Sequence, residues 1–356
     1  MRRAHKQFWS CAVVAASLYV LWLIFSFVNS PGSWQSRGEE FVFPAPDQLD
    51  DYIRTNSQGY EFTSYLEGKV DSVGKAFDRI AMRKVHEWRL DENSPEEENE
   101  IKSEDVVFVT YSSSNHFTEA RAAIRDLRKV HPINKIIFYD IGLTERKVSE
   151  LSKVCNLEVR FFNFSAYPSF VRELKGYHFK PIIAAEVYAT GINAFWLMDT
   201  SVELRENVSE IYKKVNTGHL EPYLIGESTG SSVFAQTHPR MFDFLPIDPE
   251  LAKTSFMRGA TALIKQSAYS REVIKWYVLC ALTKECMFPS GAELACHFDK
   301  EDGRRVYARC HRFDQSAVNI EVRNLSYAVF TANVVINRGK SMGSRLHLPC
   351  HANNSP

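Results

Sequence analysis

"AFWLMDTSVEL", residues 194 to 204, reads as a buried strand that delivers an aspartate to its end. A continuous apolar run of this length, closed by polar turn residues, suits a strand covered on both faces. The same signature stands upstream in "VVFVTY" (106–111), "KIIFYDI" (135–141) and "EVRFFNF" (158–164). Between these runs, "HFTEARAAIRDLRKV" (116–130), "LTERKVSELSKV" (143–154) and "KPIIAAEVYATG" (180–191) carry apolar residues at helical spacing, the last ending at Gly191. Strands alternating with helices predict an α/β domain with a mostly parallel sheet and helices on both faces. Ligands of such sheets bind at the carboxyl ends of the strands, where the winding order reverses. Asp199, Asp140 and the loop "TYSSSN" (110–115) are expected to share that rim.

Asp199 is the strongest functional candidate there. A carboxylate directly behind "FWLM" is costly to bury unpaired, so it must reach a cation, a polar ligand or a basic side chain. Lys180, at the start of the preceding helix, is a possible partner. "TYSSSN" lacks the glycines of a phosphate-cradling loop. Two readings of it stand: Thr110, Tyr111 and Ser112 hold a base or ribose, or the loop is a polar cap on the next helix. Asp140 likewise reads either as an acceptor for a uracil imide or ribose, or as a strand-end turn residue. Further on, "SFMRGATALIK" (255–265) reads as a strand in which Gly259 permits close approach to the backbone. "CHRFDQSAVNIEVRN" (310–324) starts a helix capped by Asp314, with Val318 and Val322 on its buried face. Capping explains Asp314 but not Gln315.

The 356 residues carry 43 basic and 43 acidic side chains, so no global field attracts nucleic acid or an anionic membrane. The chain has a serine-hydrolase elbow nowhere, and "HEWRL" at His86 lacks the second histidine of a zinc protease. Residues 8–28 run without a charge and, as a helix, span roughly 30 Å. Arg2, Arg3 and Lys6 precede the run, whereas the next ten residues offer only Arg37. The expected organisation is a cytosolic tail (1–7), a signal anchor (8–28), a lumenal stem with an acidic linker (29–102), a globular α/β domain (103–350) and a short tail (351–356). Some helix is expected within the stem, in "VGKAFDRIAMRKVHEW". Beyond Cys11 in the span, six cysteines remain, an even number that favours disulfides in an exported domain. Cys280 and Cys286 flank one helix end, and Cys296 and Cys310 bracket a charged loop; at least two of these four are expected to be oxidised. Glycan acceptor sequons stand at Asn163, Asn207 and Asn324, with a poor fourth at Asn353 because Pro356 follows its serine.

In their order, these pieces resemble a GT-A-fold (Rossmann-like) glycosyltransferase over residues 105 to about 345. The likeness is to the retaining family-eight group, the glycogenin and galactosyltransferase relatives. That group has a basic residue on a helix, a strand ending in Asp-x-Asp, a Gly-Ala-like strand, and Asp-Gln-x-x-x-Asn. Lys180, "WLMDTS", "RGATALIK" and "DQSAVN" stand here in that order. "FWLMDTS" with "CHRFDQSAVNI" is also similar to uncharacterised invertebrate type II membrane proteins with a predicted transferase domain. The resemblance implies transfer of a sugar, with retention, from a nucleotide sugar (a UDP-sugar favoured) to a hydroxyl of a glycan, glycoprotein or glycolipid in the Golgi or ER. It implies that Asp199 is the first metal-binding carboxylate and that Lys180 contacts the donor or a carboxylate. Gly259 and Ala260 would line the sugar pocket, with Asp314 and Gln315 holding the transferred sugar. A divalent cation, Mn²⁺ or Mg²⁺, would join the donor. Ser201 departs from the pattern, because a hydroxyl ligates a hard cation without bringing charge. His347, in "SRLHLPC", is the candidate late ligand. The contrasting reading is a lumenal binding or scaffold protein on a transferase fold, with Ser201 its best support.

Overall fold

The computed structural model describes residues 77–92, 99–204, 208–259, 261–298 and 305–325, and the backbone of 335–337. The membrane span at 8–28, Asn207, Ala260 and His347 lie outside the described residues. Among the described residues no helix is long and apolar enough to cross a membrane.

In chain order the principal elements are α1 (Arg79–Glu87), β1 (Val107–Ser112), α2 (Phe117–Val130), β2 (Ile136–Asp140), α3 (Glu145–Leu151), β3 (Leu157–Phe161), α4 (Phe179–Tyr188) and β4 (Ala194–Met198). They continue with β5 (Val202–Leu204), α5 (Ser209–Asn216), β6 (Tyr223–Ile225), β7 (Ser228–Ser232), α6 (Pro249–Thr254), β8 (Phe256–Arg258) and β9 (Ala262–Lys265). The last are α7 (Ala268–Ala281), α8 (Lys284–Met287), α9 (Asp314–Leu325) and β10 (Val335–Asn337). Six strands form the central sheet in the order β3-β2-β1-β4-β9-β6. The pairs β3-β2, β2-β1 and β1-β4 are parallel, and β9 is antiparallel to both β4 and β6.

Two-residue periodicity splits the sheet between two cores. Val107, Val109, Tyr111, Ile137, Tyr139, Phe195 and Leu197 face the layer of α4, α7 and α9. Phe108, Ile136, Phe138, Trp196 and Met198 face α2 and α5, whose Phe117, Ala120, Ile124, Leu127, Ile211 and Val215 supply the matching stripes. The strand alternation carries Asp199, one residue past β4, onto the same side as Tyr111. Register agrees: Thr110 pairs with Met198, so Tyr111 and Asp199 are the next step along.

Helix α4 is buried along nearly its whole length, because it lies between the sheet and α7. Its Pro181 sits in the first turn, where a missing N–H breaks no helical bond.

Two expectations change. "SFMRGATALIK" forms two strands, since β8 pairs with β7 in a small separate sheet while β9 enters the central one. The break falls at Gly259–Thr261, where Gly259 N–H donates to Glu227 O at 2.9 Å and Gly226 N–H to Gly259 O at 3.1 Å. The tight approach is at Gly226, whose Cβ position lies 3.4 Å from the Gly259 and Thr261 carbonyls, whereas Gly259 meets only Glu227 O at 4.0 Å. Within the segment read as stem, α1 buries Ala81 and Val85 in the larger core. Phe77 packs its ring 5.9 Å from both Phe244 and Trp276, and Asp78 N–H donates to Thr283 Oγ1 at 3.0 Å. These residues belong to the packed unit.

Candidate active site

The chain winds outward through β1, β2 and β3, then returns to the other side of β1 as β4. In open α/β sheets such a reversal is where ligands bind, and here it falls beyond the carboxyl ends of β1 and β4. Four side chains from four elements converge there. Lys180 Nζ lies 2.9 Å from Asp199 Oδ1 and 3.1 Å from Oδ2, and 2.9 Å from Asp314 Oδ2. The Tyr111 hydroxyl donates to Asp199 Oδ1. The ammonium also lies 4.8 Å from the Tyr177 ring centroid and 5.8 Å from that of Tyr111. Lys180 and Asp314 retain only 6% and 3% of their side-chain exposure, but Asp199 keeps 30%. Asp199 is therefore the member of the cluster a ligand can reach.

Burial drives the Lys180 ammonium toward neutrality, and the two carboxylates more than reverse this, so its pKa is raised. Burial pushes Asp199 up; Lys180 and the Tyr111 hydroxyl overcome it, and its pKa is lowered. Asp314 is raised, first by burial and then by the Asp199 charge, although Lys180 opposes both. The Tyr111 phenol is held protonated by burial and by the Asp199 carboxylate beside it. One fixed cation thus serves two carboxylates, and their surroundings shift the two in opposite directions.

Two aromatic residues beside this cluster hold left-handed backbones, Tyr177 at φ 54° and Phe313 at φ 47°. Bulky residues are rare there. Their rings pack 5.7 Å apart, and Phe313 continues to Phe288 at 5.2 Å.

Helix α9 also anchors the segment after β8. Gln315 Nε2 donates to Arg258 O at 3.2 Å, and its Oε1 accepts from Arg312 Nε at 3.0 Å. Asn319 accepts from Arg258 N–H at 2.9 Å and donates to Arg258 O at 3.0 Å. Gly259 follows directly, so Gln315 and Asn319 fix its backbone.

The remaining candidates are placed as follows. Thr110 donates from Oγ1 to Met198 O at 2.9 Å and is buried between β1 and β4. Asp140 Oδ1 accepts from Gly142 N–H at 2.8 Å and Leu143 N–H at 2.6 Å, an Asx turn that closes β2. Ser112 donates to Ser113 O at 2.8 Å. Ser201 is half-buried in the turn that Val202 N–H closes onto Asp199 O at 3.0 Å. Among the described residues, no three His, Cys, Asp or Glu side chains are grouped to hold a metal ion. Both Asp199 oxygens are already engaged, and Ser201 adds no charge. This donor set alone does not fit a resident divalent cation.

Sequence reasoning singled out Lys180, Asp199 and Asp314, and the fold brings them together. It missed Tyr177, whose ring faces the ammonium, and the clamp formed by Asn319. "DQSAVN" held the signal for Asn319, five residues after Asp314.

A family model described as "Protein of unknown function (DUF1647)" matches residues 53–185. That match starts ahead of α1 and ends within α4. No curated protein matches the chain. Among solved structures, a crystal structure of the galactosyltransferase LgtC with donor and acceptor sugar analogues overlaps 60% of this chain and 70% of its own, at 14% identity and TM-score 0.34. Mouse xyloside xylosyltransferase 1 overlaps 64% of this chain and 84% of its own, at 12% identity and TM-score 0.38. The bifunctional glycosyltransferase WbbM overlaps 63% of this chain and 38% of its own, at 10% identity and TM-score 0.38.

Proposed function

We propose that the chain is a nucleotide-sugar-dependent glycosyltransferase of GT-A type, acting on a glycan, glycoprotein or glycolipid hydroxyl in the Golgi or ER lumen. The observation that carries this reading is the convergence of Asp199 and Asp314 on Lys180 at the sheet's reversal point. Carboxylates accept hydrogen bonds from sugar hydroxyls, and a buried ammonium holds them in place without reorganisation. Asp199 presents its exposed edge to the donor, the buried Asp314 holds Lys180 in place behind it, and the half-buried Gln315 positions the transferred ring. The arrangement offers no strong enzymic nucleophile, which suits transfer with retention directed by positioning of donor and acceptor.

Ser201 favours a second reading, a lumenal binding protein that keeps the pocket without turnover. Calorimetry on the full-length chain in detergent, with UDP- and GDP-sugars and with or without Mn²⁺, separates the two when paired with donor-hydrolysis assays. Donor binding should be lost in Asp199→Ala and weakened only a few-fold in Ser201→Ala. Ser201→Asp should introduce a stronger dependence on Mn²⁺. Binding without hydrolysis or transfer would favour the second reading. An Asp199→Ala protein that binds as wild type would rule out the transferase reading and leave the second.

A further inference from the structure

Asn163 and Asn324 carry the same Asn-x-Ser acceptor pattern, and the fold treats them in opposite ways. Asn163 is exposed, just past the end of β3. Its Oδ1 accepts from Ser165 N–H at 3.2 Å and from Ser165 Oγ–H at 2.6 Å. The acceptor serine thus orients the amide, and Nδ2 makes no hydrogen bond to the described residues. Asn324 lies in the last turn of α9, and its Nδ2 donates to Pro246 O at 2.6 Å. That nitrogen could react only after leaving its bond and its helix.

β3 is the edge of the central sheet among the described residues. Its last residue, Phe161, is 74% exposed, the most of any large apolar side chain described. Phe162 is fully buried, so alternation places Phe161 and Asn163 on the same outward side. An exposed edge strand ending in an aromatic ring is a template for pairing with another chain, and proteins blunt such edges. Arg160 and Glu158, paired at 2.5 Å, protect the middle of this strand but not its end.

We infer that Asn163 is N-glycosylated, that Asn324 is not, and that the Asn163 glycan covers the β3 edge at Phe161. In the transfer, Asn163 Nδ2 forms a bond to C1 of an oligosaccharide carried on a lipid diphosphate. The C1–O bond breaks, the diphosphate lipid leaves with the electron pair, and the amide proton passes to a base of the oligosaccharyl transferase. The inference rests on the lumenal placement of the domain, not on its catalytic activity.

Glycopeptide mapping of the full-length chain from mammalian cells, with protease protection in sealed microsomes, tests it. Asn163 should be occupied in most copies and Asn324 bare. Asn163→Gln, purified in detergent, should show several-fold more high-order species by size exclusion than wild type, and Phe161→Lys in that background should remove them. A protected domain with bare Asn163, an occupied Asn324, or Asn163→Gln as monodisperse as wild type would overturn the inference. A domain open to protease would overturn it through its orientation alone, leaving the donor-binding reading intact.

Discussion

Lys180 sits in the first turn of α4, where the helix dipole disfavours a cation. The two carboxylates facing it, with the Tyr177 ring beside the ammonium, make that position tenable. Lys180→Met should therefore leave Asp199 and Asp314 confronting each other without a counter-ion, at a cost of about 3–5 kcal/mol near neutral pH. The variant's deficit should shrink on acidification. With the ammonium gone, burial and mutual repulsion raise both carboxyl pKa values above their unfolded values, so the native state binds more protons and stability falls as pH rises. In wild type the sign for Asp199 is opposite: its lowered pKa stabilises the fold above the unfolded value and is lost as pH falls through the native one. Denaturant melts of both proteins between pH 7 and pH 5 check this; a pH-independent deficit in Lys180→Met would refute it. At this scale the sequence exposed the charges but not their surroundings. An aspartate behind an apolar run stands out on cost alone, whereas Tyr177 and its left-handed backbone leave no mark, because aromatic residues rarely adopt that conformation.

The alternation of strands with helices was readable because β1, β2 and β4 are apolar on both faces and α2 keeps a steady stripe, while β3 alternates apolar residues with Glu158 and Arg160. Legibility fades after β5. Strands β6, β8 and β9 have three or four residues each, too few for a period to show, and β7 is "STGSS". One stretch that reads as a single strand, 255–265, conceals a change of sheet that depends on partners distant in sequence. What pins that junction is the pair of bonds between Asn319 and the Arg258 backbone. Asn319→Ala should remove both bonds, leaving the Arg258 carbonyl with Gln315 Nε2, and destabilise the domain by about 1–3 kcal/mol. Asn319→Asp keeps the acceptor but loses the donor and should not restore stability. Urea titration of the two variants decides the point; wild-type midpoints would refute it.

At the scale of the whole molecule, four buried imidazoles among the described residues, His131, His178, His238 and His311, link stability to pH. Burial depresses His311 to about 3 and His178 and His238 to about 4, with the neighbouring His238 lowering His311 further. Their native values lie below the unfolded one, so stability is complete above about pH 6.5 and declines as pH falls, by up to about 1.4 kcal/mol per pH unit for His311 alone. His311→Asn should flatten that acid slope even if it lowers stability at pH 7; an unchanged slope would refute the assignment. Disulfides close the same region: Cys280–Cys286 at the end of α7, and Cys296–Cys310 four residues ahead of Asp314. Replacing Cys296 and Cys310 together by alanine should cost about 3 kcal/mol, read from the shift in the urea midpoint. The second bridge tethers the strand of chain that enters α9 and so presents Asp314 to Lys180. The geometry of the cluster is thereby sensitive to redox conditions: with both thiols reduced, the chain would possess every residue of the cluster yet lack the tether ahead of α9 that helps bring Asp314 to Lys180.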